Sequence, residues 1–590
     1  MNLSIRPQQC IQDCFGNKAS HHPKSSQGKT RLKSFFCAGL MAMSLTTLTP
    51  KEAQAGLSVK ADTILFNAHI TTMNDKVPEV QAMALREGKI MAIGASSQMK
   101  ALKGPQTVMV DLKGRRVIPG MIDSHMHGIR AALSFSKEVH WFGTHSLSEA
   151  LGKLSAAAQK SSPGEWLVVA GGWTPEQFIE KRRPTQAELQ SAAPNNPVYV
   201  QWMYDWAMLT PLAHEKLGLN ALSDLPKGAQ FELDSRGQKT GAIQGGIVAL
   251  FDRLPKPQYA DKLEGSMRFF TELNRVGLTG FMDPGGFNMS PDEYAPVMEL
   301  WRTGKLSVRI DFSYFSQQKG RELEEFQVLT ALLPQGFGGE RLRFNGIGER
   351  VTFNMYNNDH PTPEDQEAFY QVARWAALRG MTLTQHWQNG QTVHYLLDVL
   401  ERLNQETPLA PLRWSIAHLN DAKQETFSRM QKLGVAWAMQ DAMYYDGERL
   451  LKERGPEALS QMPMLVSAMN TGVHIGAGTD AHRVANYNPF VALQWMLDGK
   501  SAGGVSLRSK AEIPTRQQAL ALYTQGSAWL AHAEKERGEL SVGKAADLVV
   551  LSDDYFKVET AKIGTIHSVL TLVGNEVVYA EEDFSGLWKH

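Results

Sequence analysis

The sequence predicts an α/β protein, a (β/α)8 TIM-like barrel carrying a small β-sandwich domain formed from both terminal segments. Three observations predict it. Apolar, β-branched runs alternate with helical stretches across residues 119–535. Short β-rich segments occupy the two flanks. Histidine or aspartate closely follows four of the central runs, where barrels of this kind carry their functional residues. A doubly wound open sheet is the alternative, but no glycine-rich phosphate loop follows an early strand to support it.

Residues 1–55 read as a targeting segment. Lys29-Thr-Arg-Leu-Lys33 precedes the apolar run Phe35–Leu45, which is too short to span a bilayer. Ala53-Gln-Ala55 then offers a small-x-small cleavage pattern. The long basic start, with Lys51 and Glu52 close to the cut, departs from the usual leader, and a cytoplasmic extension is the alternative. Export implies a periplasmic or secreted protein, with no membrane anchor in the mature form.

The chain has 590 residues, 43% hydrophobic and 21% charged, the balance of an ordinary globular protein with one large and one smaller domain. Residues 1–55 hold seven Lys/Arg against Asp13 and Glu52. Removing them from totals of 61 basic and 61 acidic leaves 54 and 59, a net of −5. That excludes a nucleic-acid footprint, which needs a basic domain or stripe. All three cysteines (Cys10, Cys14, Cys37) fall in the leader. The mature body then has no disulfide, no cysteine nucleophile and no thiolate ligand. Any metal must sit on His, Asp, Glu or modified Lys.

Next come the elements in order. Residues 56–118 contain the strand-like runs Lys60–Met73, Ala82–Gly94 and Gln106–Asp111, punctuated by Asn-Asp and Glu-Gly turns. Residues 119–535 contain apolar β-type runs at Trp166–Ala170, Val198–Trp202, Leu278–Met282, Val308–Phe312, Met381–Thr384, Trp414–Ala417, Val435–Met439 and Val473–Ala477. Helical stretches such as Pro363–Arg379 and Lys423–Leu433 lie between them. Residues 536–590 return to β character at Ala546–Ser552 and Ile566–Tyr579. Two β-rich ends around a long middle suggest one small sheet domain built from both termini.

The chemistry-bearing residues follow strand ends. Val117-Ile-Pro-Gly-Met-Ile-Asp-Ser-His-Met-His127 delivers His125 and His127, two residues apart and therefore facing one side. Paired imidazoles at a strand end form half of a transition-metal site. Leu383 leads to His386, Ile416 to His418, and Gly476-Ala-Gly-Thr479 to Asp480. Each alone is commonly just a hydrogen-bonded neighbour; four strand ends offering ligands together are harder to dismiss.

The order of these residues, with Val117–His127, Ile475–Asp480 and Gly538–Leu551 as they stand, resembles the amidohydrolase superfamily, and within it amidohydrolase family 3, over residues 57–590. The resemblance implies a metal-dependent hydrolase of non-peptide carbon–nitrogen bonds: amides, cyclic amides or deaminated rings. It implies a divalent metal, foremost zinc, as one or two ions. On matching positions, His125 and His127 ligate the more buried ion. Asp480 ligates it too and acts as general base, then acid. His386 and His418 ligate a second ion in two-metal members. In one-metal members His386 joins the first ion while His418 orients water or substrate.

One departure is pronounced. The family usually places a carboxylated Lys on a middle strand; here Arg343-Phe-Asn-Gly-Ile-Gly-Glu-Arg350 puts Gly348 at that position, with Glu349 beside it. A one-residue slip turns a strand side chain to the opposite face. Glu349 becomes a candidate ligand only if a bulge or kink, which Gly346 and Gly348 permit, aims it inward. Otherwise one ion or an inactive descendant is expected. The stretch His386-Trp-Gln-Asn-Gly390 also differs from the usual His-Ala-x-Gly-Asp, and Asp480-Ala-His482 from Asp-Ala-Pro. Two alternatives follow: a metal- or ligand-binding barrel that has lost turnover, and a non-hydrolytic isomerase or hydratase on the same scaffold. His482 reads as a loop histidine and Asp283 as a turn former. Trp202, Tyr204, Trp206, Tyr444 and Tyr445 are either pocket lining or packing. The expected partner is a small-molecule substrate; homo-oligomer formation stays open.

Overall fold

The computed structural model describes residues 59–356, 358–457 and 462–586. The leader-like segment and its cleavage pattern lie outside the described residues.

Eight parallel strands form the barrel: β1 (Met121–Asp123), β2 (Leu278–Asp283), β3 (Arg309–Tyr314), β4 (Leu342–Ile347), β5 (Thr384–Trp387), β6 (Ser415–His418), β7 (Ala436–Gln440) and β8 (Ile475–Gly478). They pair in two runs, β4-β3-β2-β1 and β5-β6-β7-β8. A parallel bridge between Ile347 and Leu383 joins the runs on one side. On the other, the Ser124 amide donates to Ala477 O at 2.9 Å and the His127 amide to Ala481 O at 3.1 Å, which closes the ring. Closure leaves the barrel without an exposed edge.

Two of the β-type runs are not barrel strands. Leu167–Val169 and Val198–Trp202 belong to a separate five-stranded sheet with Trp206–Leu209, Lys239–Gln244 and Gln230–Leu233, inserted between β1 and β2. Both faces of that sheet are covered, one by a cluster around Trp141, Trp173 and Leu154, the other by Leu250, Leu254 and Ala213. Burial on both sides gives these strands the continuous apolar character of barrel strands. The place the resemblance assigned to a middle strand is taken by β4, whose half-buried Arg343 and buried Asn345 interrupt its apolar pattern.

The flanks form two sheets. One, of four strands, pairs Lys89–Gly94, Ala82–Arg86, Thr63–Phe66 and Val108–Asp111. The other, of six strands, combines both ends of the chain: Leu548–Leu551, Ser568–Val573 and Glu576–Ala580 from the C-terminal side join Arg116–Pro119, His69–Thr71 and Glu79–Val80 from the N-terminal side. A shared core of Leu65, Ile70, Leu85, Val117, Leu548 and Leu570 lies between them. The small domain is locked to the barrel floor by ion pairs between side chains. Buried Arg309 at the start of β3 donates to both oxygens of Asp547 at 2.7 and 3.0 Å, and Asp311 takes Arg343 and Arg537.

The helices begin and end where local chemistry dictates. Pro363–Leu378 starts at Thr362, whose hydroxyl accepts from the Asp365 amide, with Pro363 at the first helical position. Gln424–Leu433 ends at Gly434 in the left-handed conformation.

Candidate metal centre

All six residues singled out as ligands come together at the C-terminal mouth of the barrel. His125 and His127 follow β1, Glu349 follows β4, His386 and His418 lie at the ends of β5 and β6, and Asp480 follows β8. His127 Nε2 is 3.2 Å from Asp480 Oδ1 and 3.4 Å from Glu349 Oε1. Glu349 Oε2 lies 2.9 Å from His386 Nδ1, 3.3 Å from His418 Nε2 and 3.3 Å from His125 Nε2. His386 Nδ1 and His418 Nε2 face each other at 2.7 Å. The cluster offers two three-residue donor sets that share His125: one with His127 and Asp480, the other with Glu349 and His418.

Glu349 reaches the mouth through a bulge. Phe312 pairs with Phe344, yet Tyr314 pairs with Ile347, so β4 spends one residue more than β3 over the same interval. The extra residue reverses the face of everything after it. Gly346 and Gly348 have φ of +105° and +135°. A Cβ on Gly348 would stand 2.1 Å from the Thr384 carbonyl oxygen. No lysine fits at 348, and the carboxylate one position later turns inward instead.

Strand-end backbone is strained at two ligands. His418 and Asp480 have φ of +73° and +57°, a region that costs a non-glycine residue about 1–3 kcal/mol. Neighbours hold both in place. The His418 amide donates to Gln440 Oε1 at 2.7 Å, its carbonyl accepts from Trp437 Nε1 at 2.8 Å, and the Asp480 amide donates to His125 O at 2.8 Å.

Supporting groups orient the ligands. Asp123, fully buried, accepts from the His125 amide at 2.9 Å, the Thr479 amide at 3.0 Å and the Thr479 hydroxyl at 2.7 Å, so it ties β1 to β8 beneath the cluster. Burial pushes its carboxyl up to about 7 against those hydrogen bonds. His127 Nδ1 donates to Gly285 O at 2.5 Å, which leaves Nε2 with a lone pair for a cation. Asp283 is the turn former the sequence suggested: it accepts from Gly285 and Ile129 amides at 2.8 and 2.7 Å and so fixes that carbonyl. Nothing in the sequence marked Gly285. Asp123 carried a signal only in preceding the His-x-His pair by two residues.

The residues present fit a divalent cation. Fully buried His125 Nε2 has no hydrogen-bond partner, although carboxylate oxygens stand 3.3 and 3.8 Å away. Imidazole nitrogen and carboxylate oxygen are the donors that zinc-type ions take when thiolates are absent. Burial raises the Glu349 carboxyl, but His386 and His125 outweigh it and hold the group well below the usual carboxylate range. Burial likewise raises Asp480, and the His127 bond brings it below its ordinary value. Two ionised carboxylates, Glu349 buried and Asp480 half-buried, facing four imidazoles leave room for positive charge at their centre.

The remaining candidates divide. His482 is no exposed loop residue: it is buried, with Nε2 2.7 Å from Glu138 Oε2, and burial pulls it down to about 4. With Glu138 and His140 it forms a third donor cluster. Arg483 already holds the other Glu138 oxygen at 2.8 Å and stands 3.4 Å from His482 Nε2, so a cation is in place there. Trp206 is core and Trp202 packs against it. Tyr445 is buried with its hydroxyl on the Asn486 amide, and Tyr444 packs on the barrel core. Tyr204 alone of the five lines a cavity beside the centre. Tyr356, which the sequence did not suggest, stacks 4.4 Å from His386.

Fold and centre together define a metal-dependent hydrolase of the amidohydrolase class. The chain belongs to the Amidohydrolase family, whose model matches residues 108–579. It is similar to Protein LONG AFTER FAR-RED 3 of Arabidopsis thaliana, 24% identical over 91% of this chain and 94% of that one. It is also similar to the N-substituted formamide deformylase of Arthrobacter pascens, 23% identical over 88% and 98%. Among solved structures, an uncharacterized metal-dependent hydrolase from Pyrococcus horikoshii shares the fold at a TM-score of 0.62 and 20% identity, over 85% of this chain and 99% of that one. Among the described residues, no helix is long and apolar enough to cross a membrane.

Proposed function

We propose that the protein hydrolyses the carbon–nitrogen bond of a small amide, using zinc ions held by His125, His127, His386, His418, Asp480 and Glu349. The observation that carries this is the placement of Asp480, its Oδ1 3.2 Å from His127 Nε2 inside a donor set open to the barrel mouth. Glu349 spans the centre: Oε1 faces His127 while Oε2 faces His386, His418 and His125, so its carboxylate would help hold the ions from the place where the family has a carboxylated lysine. Bound zinc supplies Lewis acidity toward the carbonyl oxygen and lowers the pKa of water.

The protein's own groups do the rest. Asp480, ionised below its ordinary pKa, accepts the proton of the attacking water and returns it to the departing nitrogen. His418, fixed through its backbone by Gln440 and Trp437, would hold the second ion; in a one-ion centre the same imidazole would instead orient the water or substrate. Asp123 keeps the His125 and Asp480 segments in register through Thr479. The similarity to a formamide deformylase favours N-substituted formamides as first substrates to try, with cyclic amides and aminated rings after them. The leader-like start supports action in the periplasm or outside the cell.

Metal analysis with an amide-hydrolysis screen tests the proposal. Expected are about two zinc ions per chain, a loss of one in Glu349→Gln, and turnover reduced at least about 10³-fold in Asp480→Asn with metal retained. Full zinc occupancy without hydrolysis across formamides, cyclic amides and aminated rings would overturn it.

A further inference from the structure

A cavity of about 110 Å³ lies between the barrel mouth and the inserted sheet, lined by Arg130 and Arg483, each three residues beyond a candidate ligand. An aromatic chain connects the cavity to the centre. Tyr356 stacks on His386 at 4.4 Å, Phe287 meets Tyr356 at 5.9 Å, and Tyr204 meets Phe287 at 5.8 Å. Val248, Phe251 and Met289 make the rest of the wall largely apolar.

Four cations line this cavity: Arg130, Lys256, Lys262 and Arg483. Three are neutralised. Lys256 pairs with Asp252 at 2.8 Å, Lys262 with Glu293 at 2.5 Å, and Arg483 with Glu138 at 2.8 Å. Arg130 is different. Among the described residues it has no carboxylate within ion-pair distance; Asp480 and Asp283 act on it only through space. Its one hydrogen bond runs from Nη2 to the Tyr204 hydroxyl at 2.7 Å, and its guanidinium lies 5.8 Å from the Phe287 ring centre. Three residues after His127, it looks into the cavity from the metal side.

A partly buried guanidinium satisfied by one neutral phenol retains several free N–H donors and a charge with no carboxylate in contact. We propose that Arg130, with Tyr204, anchors a carboxylate of the substrate. On the reading above, the substrate is then an amide whose nitrogen substituent has an apolar, aromatic body ending in a monoanionic group. One guanidinium without a contacting carboxylate matches one negative charge, and the planar fork of arginine matches the two oxygens of a carboxylate. The apolar wall takes the body that separates that carboxylate from the scissile bond. Arg130 is a specificity residue and takes no part in the proton transfers.

The test uses N-benzylformamide beside 3- and 4-(formamidomethyl)benzoate, the same skeleton with a carboxylate added. Binding is measured by calorimetry to the zinc-loaded Asp480→Asn protein, where turnover does not interfere. At least one acid binds about 10- to 100-fold more tightly than the neutral amide, the range for a hydrogen-bonded charge. Adding Arg130→Met removes that preference and Arg130→Lys keeps part of it. In the active enzyme the same substitution lowers the acid-to-neutral ratio of kcat/KM by the same factor, through KM. Acids that bind no better than N-benzylformamide, or a preference that survives Arg130→Met, overturn the assignment. An Arg130-dependent preference in a protein that hydrolyses none of the three would uphold the anchor and count against the hydrolase reading. Hydrolysis of all three without any preference does the reverse.

Discussion

Substituting Gly348 by alanine tests the physical reason that the ligand sits at 349. Two costs add. At φ +135° an L-residue carries strain of about 1–3 kcal/mol. The new Cβ would lie 2.1 Å from the oxygen, 2.9 Å from the carbon and 3.0 Å from the nitrogen of the Thr384 backbone, atoms of barrel strand β5 that cannot swing aside. Such overpacking adds about 1–3 kcal/mol, for a total of about 2–6 kcal/mol. At an unfolding entropy near 2.1 cal/mol/K per residue, a chain of this length shifts about 1 °C per kcal/mol. Calorimetric Tm should therefore fall by about 2–6 °C. Gly380→Ala is the control: its φ is +67° but nothing lies within 4 Å, so only about 1 kcal/mol of backbone strain applies. Zinc content should fall in Gly348→Ala and hold in Gly380→Ala, because the first displaces Glu349. If the two variants melt within a degree of each other and bind equal zinc, position 348 tolerates a side chain and the explanation for the missing lysine is wrong.

Other outcomes follow from the same geometry. Asp547→Ala strands the buried Arg309 charge and should destabilise the protein by about 3–5 kcal/mol in urea titrations, while pairing Asp547→Leu with Arg309→Met recovers most of the loss. Burial raises the Asp547 carboxyl, but Arg309 prevails and holds it below its ordinary value. Its stabilising effect is thus complete above the unfolded-state pKa and disappears as pH falls through the lower folded-state value; Tm measured from pH 6 down to 3 should drop more steeply in the parent than in Asp547→Asn. Asp123→Ala removes the bond that positions the His125 amide and the tie to Thr479, and should weaken zinc affinity about 10- to 100-fold in chelator competition. Unchanged affinity would mean that the neighbouring backbone positions the ligands unaided.

The ligand set was legible because it rests on strand ends, and strand ends are visible as apolar runs that stop. His125, His127, His386, His418 and Asp480 were all found this way. Glu349 was legible only as a conditional: alternation along the strand pointed it outward, and a bulge with its neighbouring glycines had to reverse that. Sheet membership was not legible. Leu167–Val169 and Val198–Trp202 are as apolar as true barrel strands since their own sheet is buried on both faces, and hydropathy carries no record of which sheet buries a residue. Conversely β4 was obscured by Arg343, whose partner Asp311 is distant in sequence and close in space. Arg130 and Tyr204 gave no joint signal either, because the cavity they share exists only once the insertion is folded over the mouth.

The pairing of Leu548–Leu551 with Arg116–Pro119 sets a timetable for the molecule. Pro119 is the doorstep of the His-x-His segment, and the Gly120 amide is held by the Asp547 carbonyl at 2.9 Å. During translation the first two imidazoles are made early but lack this brace until residue 547 and the strand after it have been added. A chain ending at residue 540 would carry all six candidate ligands and still lack both the strand and the Asp547 carbonyl that hold the first two in place.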